Sequence, residues 1–523
     1  MHIALGSEPQ TLDPHVASGS QEYQLIAALF EPLVSIDPTD LAFEPAAAER
    51  WEYDSDGLGA TFFLRRDGRW SNGDPVTAHD FVFAWRRAVN PRLGNQLAEI
   101  FFHLEGARSL YRAESDDFSR LGARALDDYT LRLEFEYPLP LEALLLNVSH
   151  MGAVPVHRGS LLEHGAEAAR YSGWAKPGAL YGNGPFVLDS WRFQRDLRIS
   201  RSPTYWDTEN VALEGLVFHP VNSVATQEKL FRSGQIHVTS GLPSSKLGVY
   251  GAIAASPLVN EPIMRSEYFA VNLQRSPLAD VRVRRALALA IDREALARPV
   301  YSGAATAMGR YLPPGLLGYE PPEERIAFDP ETARKLFVEA GFPGGAGFPE
   351  LELLAASGES GRALSTAVLQ MWSDVLGIKV RAVNQEYQVY LDSLVGGDFD
   401  LVLASWSGGS LPSGFLDRWV TGGGTNDSRF SNAAFDRLIE VDSRSTADLT
   451  ELMTVYREAE AILLRELPII PLFRRHDTFL KQPCVQGMPV NPLGVVDLKR
   501  VALAPMQAWQ MPEGMEFAQA AGH

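Results

Sequence analysis

Between Asp329 and Val383 the apolar residues change period more than once, and that alternation restricts the chain to an α/β layer architecture. Asp329 and Pro330 form a cap followed by a first-turn proline, and Ala333, Leu336, Phe337 and Ala340 make a helical stripe that Gly341 ends. Leu351 to Leu354 then reads as a strand. Leu364, Val368, Trp372 and Val375 form a second helical stripe closed by Gly377, and Ile378, Val380 and Val383 read as the next strand. A strand, a crossover helix and a strand point to a parallel or mixed sheet. Phe399 to Ala404 adds an apolar strand, and helices follow over Phe435–Ile439 and Met453–Leu464. Upstream, Thr61–Leu64 and Tyr129–Phe135 read as strands on either side of a helix over Ala78–Val89, which Thr77 and Asp80 cap.

At roughly 100–200 residues per domain, 523 residues suggest about three domains. The balance of 47 Lys+Arg against 65 Asp+Glu, a formal charge of −18, argues against nucleic acid or an anionic membrane surface as partner. Cys484 is the only cysteine, which excludes an intrachain disulfide and any multi-cysteine zinc site. No apolar run reaches the roughly 18–20 residues of a membrane span, and the first residues do not resemble a secretory signal. Nothing signals a coiled coil, so a monomer is the expectation.

Catalytic signatures are missing from the sequence: there is no GxxxxGK loop, GxSxG elbow, HExxH helix or GxGxxG turn. The histidines are scattered singly, so neither a metal site nor a cofactor is expected, and Asp116-Asp117 and Asp127-Asp128 read as solvated caps. Trp51, Trp70, Trp85, Trp191 and Trp206 read as core. Trp406 differs because it follows an apolar strand and leads into Ser407-Gly408-Gly409-Ser410, a strand end beside a loop where ligands commonly sit.

Several strings resemble one known family. Gly6-Ser7-Glu8-Pro9-Gln10-Thr11-Leu12-Asp13-Pro14-His15, Leu29-Phe30-Glu31-Pro32-Leu33 and Trp70-Ser71-Asn72-Gly73-Asp74-Pro75-Val76-Thr77-Ala78-His79-Asp80-Phe81 are similar to stretches of the oligopeptide-binding (family 5) solute-binding proteins of bacterial ABC importers. Asn183-Gly184-Pro185-Phe186, Pro203-Thr204-Tyr205-Trp206 and Asp280-Val281-Arg282-Val283-Arg284-Arg285-Ala286-Leu287 continue the pattern in family order. The resemblance implies an α/β, two-lobed periplasmic-binding-protein fold of type II with an extra domain, its discontinuous lobes joined by a hinge and closing over a small-molecule ligand. By that analogy residues 1–31, 180–270 and 475–523 form lobe one, 32–179 an extra domain packed on it, and 271–474 lobe two. It also implies a periplasmic or extracytoplasmic location, ABC permease subunits in the membrane as partners, and no enzymatic activity. Family members carry a leader before the first strand, so this chain reads as trimmed.

In that family an extended peptide pairs its backbone with two protein segments, which fall here on Ser18-Gly19-Ser20 and Ser405-Trp406-Ser407, with Gly408 and Gly409 beyond. The charged anchors are missing. The acid that holds a peptide amine falls on Gly409, two arginines on Leu403 and Leu394, a histidine on Gly361, and two glutamates on Ser18 and Ala270. Losing one partner of a desolvated charge pair costs about 2–5 kcal/mol. The expectation is therefore a ligand other than an ordinary free peptide: a neutral glycan or glycoside, an opine-like conjugate, or an end-blocked or cyclic peptide. A true oligopeptide binder with relocated anchors, a sensor or chaperone use of the fold, and a hydrolase are the alternatives. His103, Arg265 and Glu267 stand near family pocket segments as replacement anchors.

Overall fold

The computed structural model describes residues 1–17, 19–165, 167–170, 172–505 and 509. The chain divides into two compact units, residues 1–259 with 478–523 (unit 1) and residues 260–477 (unit 2).

Unit 1 contains two four-stranded sheets. His2–Leu5 (β1) runs parallel to a strand brought beside it from more than 200 residues away. Helix α1, Ser20–Leu29, follows. Ala48–Tyr53 (β2), Gly59–Leu64 (β3), Ala123–Asp127 (β4) and Thr130–Glu134 (β5) form an antiparallel sheet in the order β2-β3-β5-β4. Helix α2, Ala78–Ala88, starts at Thr77, whose N–H donates to the Asp80 carboxylate at 2.8 Å. Phe186–Arg192 (β6), Asp196–Arg201 (β7) and Gly215–Pro220 (β8) complete the first sheet in the order β1-β8-β7-β6. Trp70 and Trp85 are buried as expected, but Trp51, Trp191 and Trp206 are only half-buried. The last two meet polar groups: their indole N–H groups donate to Glu8 at 2.6 Å and Glu31 at 3.0 Å, and a cation lies over each ring.

Unit 2 is built on a six-stranded mixed sheet. Its strands are Leu258–Val271 (β9), Ala305–Ala307 (β10), Leu351–Ala356 (β11), Val380–Gln385 (β12), Leu401–Trp406 (β13) and Ile469–Leu480 (β14), in the order β10-β14-β9-β13-β11-β12. β11 pairs in parallel with both β12 and β13, and β9 pairs antiparallel with β13. The unit boundaries fall inside β9 and β14, so the chain crosses in strand both times. Helices α3 (Val281–Leu289), α4 (Arg293–Tyr301), α5 (Pro330–Glu339) and α6 (Glu359–Leu376) cover one core. The predicted stripes face it: Ala333, Phe337, Leu364, Val368 and Trp372 pack with Phe269, Val271, Leu353 and Leu401. The Trp372 indole N–H donates to Leu287 O at 2.9 Å, so a large apolar body is buried with its one polar group satisfied. Gly377 ends α6 at φ +71°, in the left-handed region that favours glycine. β13 starts two residues later than the Phe399–Ala404 reading and runs to Trp406, because the ladder to β9 continues through Ser266 opposite Trp406.

Candidate ligand-binding site

Period-two alternation sorts the end of β9 and β13 into two faces. Glu267 stands opposite Ser405, and Ser266 opposite Trp406. Arg265, Glu267 and Ser405 therefore share one face, and Ser266 and Trp406 the other.

On the first face the Arg265 guanidinium donates to Ser405 Oγ from Nε at 3.2 Å and from Nη2 at 3.0 Å. The Glu267 carboxylate accepts from the Tyr301 hydroxyl, and Arg475 Nη1 lies 3.9 Å from it. Burial pushes the Glu267 carboxyl up, opposed by Arg475, Tyr301 and Arg265. On the second face Trp406 is half-buried, its indole N–H donating to Gly414 O at 2.7 Å. The Arg418 guanidinium lies 4.2 Å from the Trp406 ring centroid and bonds Asp427 at 2.7 Å. Behind it, Tyr268, Tyr311 and Trp419 form an edge-to-face cluster. One side of the indole is thus fixed by a cation–aromatic contact, and its in-plane orientation by a carbonyl.

The main chain of β13 is asymmetrically paired. Its ladder to β11 involves Leu401 and Val402, whereas its ladder to β9 continues to Trp406. The Tyr390 hydroxyl donates to Leu403 O at 3.0 Å. Among the described residues, one edge of Ala404–Trp406 has no strand partner, and such an edge accepts an added strand. Beyond it, Gly408 and Gly414 approach so closely that a Cβ on Gly408 would lie 2.7 Å from Gly414 O. Gly409 has φ +73°, and among the described residues a Cβ added there would meet nothing within 4 Å, so this position faces open space. No ionisable residue occurs from Leu401 to Leu416.

The predicted residues thus separate. Arg265, Glu267, Ser405 and Trp406 come together in unit 2, with exposed Ser407 and Gly409 and half-buried Gly408 following. In unit 1, Gly19 is the N-cap of α1, Ser20 is its first residue, and Ser18 lies outside the described residues. His103 is 4% exposed, its Nδ1 lying 3.3 Å from the Asn147 amide nitrogen and its ring against Phe135. Burial lowers its pKa to about 4, opposed by a hydrogen bond to the Ile100 main chain. Sequence reading missed Tyr301, Arg418 and Arg475, which reach the site from α4, from a short 3-10 helix over Asp417–Trp419 and from β14. No local signal marks Tyr301 and Arg475, because Glu267 is distant from both in the chain, and Arg418 meets Trp406 and Asp427 across turns that periodicity does not register.

Residues 42–427 match the family described as bacterial extracellular solute-binding proteins, family 5 Middle, and the chain belongs to that family. It is 31% identical over 494 residues to the periplasmic murein peptide-binding protein MppA of Escherichia coli (strain K12), covering 92% of this chain and 89% of that protein. It is also 31% identical over 498 residues to the probable deoxycholate-binding periplasmic protein YgiS of the same organism, covering 93% and 90%. The solved structure of the Escherichia coli murein tripeptide binding protein MppA aligns with a TM-score of 0.81 at 29% identity, covering 96% of this chain and 98% of that one. The fold is therefore the two-lobed α/β fold of this family. Among the described residues no helix is long and apolar enough to cross a membrane.

Proposed function

We propose that this chain is an extracytoplasmic, monomeric solute-binding protein that closes its lobes over a ligand and delivers it to an ABC permease, without catalysing a reaction. Residues 32–179 serve as an extra domain of unit 1, with the β2–β5 sheet as its frame. The ligand pairs with the open edge of Ala404–Trp406 and has no cationic end at Gly409. One observation carries this reading: among the described residues the edge has no strand partner, yet no carboxylate stands between Leu401 and Leu416 to hold an ammonium group. End-blocked or cyclic peptides, opine-like conjugates and glycosides fit that requirement. A second reading, a linear peptide binder with its anchors elsewhere, is supported by the name of MppA. The likeness to YgiS, whose name is that of a probable deoxycholate-binding protein, supports keeping the ligand class open.

Native mass spectrometry of the purified protein, followed by denaturation and identification of the released molecule, tests this. A single compound without a free amine is the expected result. A mixture of linear peptides with free amino ends would overturn it in favour of the second reading.

A further inference from the structure

Arg265 is an exposed cation whose hydrogen-bond partner is a neutral hydroxyl. Both of its contacts go to Ser405 Oγ, and among the described residues no carboxylate lies within 4.0 Å of it. The nearby acid, Glu267, feels the Arg265 charge but accepts its hydrogen bond from Tyr301 and has Arg475 beside it. The face formed by Arg265, Glu267, Ser405 and Arg475 therefore carries two guanidinium groups and one carboxylate. On the opposite face Arg418 is matched by Asp427. The uncharged stretch from Leu401 to Leu416 adds nothing negative. A guanidinium parked on a hydroxyl keeps donors in a planar fork that matches a carboxylate or another oxyanion in bidentate geometry.

We infer that Arg265 is a specificity-determining residue that binds an anionic group of the ligand beside Ser405. Where the family resemblance implies an acid that receives an amine, this site offers a cation one strand away. The inference rests on the proposed ligand edge at Ala404–Trp406 and adds the charge of the ligand to it. It separates opine-like acids and N-blocked peptide acids from neutral glycosides.

The probes are N-acetyl-trialanine as the free acid and as the C-terminal amide, titrated calorimetrically into the full chain at low salt. The acid is expected to bind at least about tenfold tighter than the amide, the effect of one charge-assisted bidentate contact. Arg265→Ala should bring the acid down to the level of the amide, and Arg265→Lys should restore part of the preference. Equal binding of acid and amide by the unaltered protein would overturn the anion assignment and leave the edge reading intact. A tenfold preference that persists in Arg265→Ala would also overturn it, because the anion is then held elsewhere. If neither probe binds, the reading of the edge fails and the assignment falls with it.

Discussion

In unit 1 the Arg87 guanidinium, 2% exposed, meets the Asp13 carboxylate at 2.9 and 2.5 Å, whereas in unit 2 Arg293, 5% exposed, bonds the carbonyls of Pro471, Ala288 and Ile291 at 2.6, 3.2 and 3.1 Å. The pattern recurs. Unit 1 places Lys246 and Arg232 against the buried Glu228, while unit 2 holds Arg284 on the carbonyls of Leu278, Ala279 and Glu466. The electrostatic outcome differs accordingly. Burial by itself would raise Asp13, but the Arg87 charge and hydrogen bonds bring it below the usual carboxylate range. Among the described residues no carboxylate pairs with Arg293, and burial, opposed only by the charge of Asp292, lowers it to about 10. A cation solvated by backbone dipoles leaves only neutral acceptors behind when it is removed, whereas a paired cation leaves a buried charge.

That difference is open to direct attack. Arg87→Met should cost about 3–5 kcal/mol, because Asp13 loses its counter-ion in the interior. Urea unfolding measures it, and a loss below about 1 kcal/mol would mean that the pair is dispensable.

Acid should act mainly on unit 1. His476 is the only one of the 11 histidines between residues 260 and 477. Burial lowers His103 and His150 to about 4, so the folded protein binds fewer protons than the unfolded chain below pH 6.5. Stability from these groups is full above 6.5 and declines as pH falls toward 4, by about 3 kcal/mol for each. Glu31, raised by burial to about 7, works in the opposite direction between about pH 7 and 4.5 and offsets roughly one histidine. For His103, His150 and Glu31 together a loss of about 3 kcal/mol by pH 4 is expected, which His15, lowered by burial to about 3, deepens, with amide exchange rising first in residues 1–259. Exchange that rises first in residues 260–477 would reverse the comparison.

The smallest effect belongs to Arg293→Met, about 2 kcal/mol, because three carbonyls lose a donor but no charge is stranded. If denaturant midpoints show it to be as damaging as Arg87→Met, the distinction between paired and dipole-solvated cations fails for this protein.

Much of the fold was legible from local pattern. The stripe Leu364, Val368 and Trp372, the Asp329 cap, Gly377 and the Thr77–Asp80 box each depend on residues within one or two turns, so periodicity and capping chemistry find them. The site was only partly legible. Trp406 could be placed at a strand end beside a loop, but the cation beneath its ring comes from Arg418, and the carbonyl that orients it from Gly414. Trp191 and Trp206 read as core because the pattern registers an aromatic residue, not the acid or cation that meets it.

The sequence by itself determined the α/β alternation, the family, and the absence of ionisable groups between Leu401 and Leu416, since all three depend on residue identity and short-range order. The tertiary structure decided which cations matter. Arg87, Arg265 and Arg293 are the same residue type, yet Arg87 is buried against a carboxylate, Arg293 is buried on carbonyls, and Arg265 stands exposed beside Ser405. Arg265 and Ser405 are 140 residues apart, and they meet because β9 pairs with β13 rather than with a neighbour in sequence. Strand order and register bring such distant groups together, and burial then sets the value of each charge.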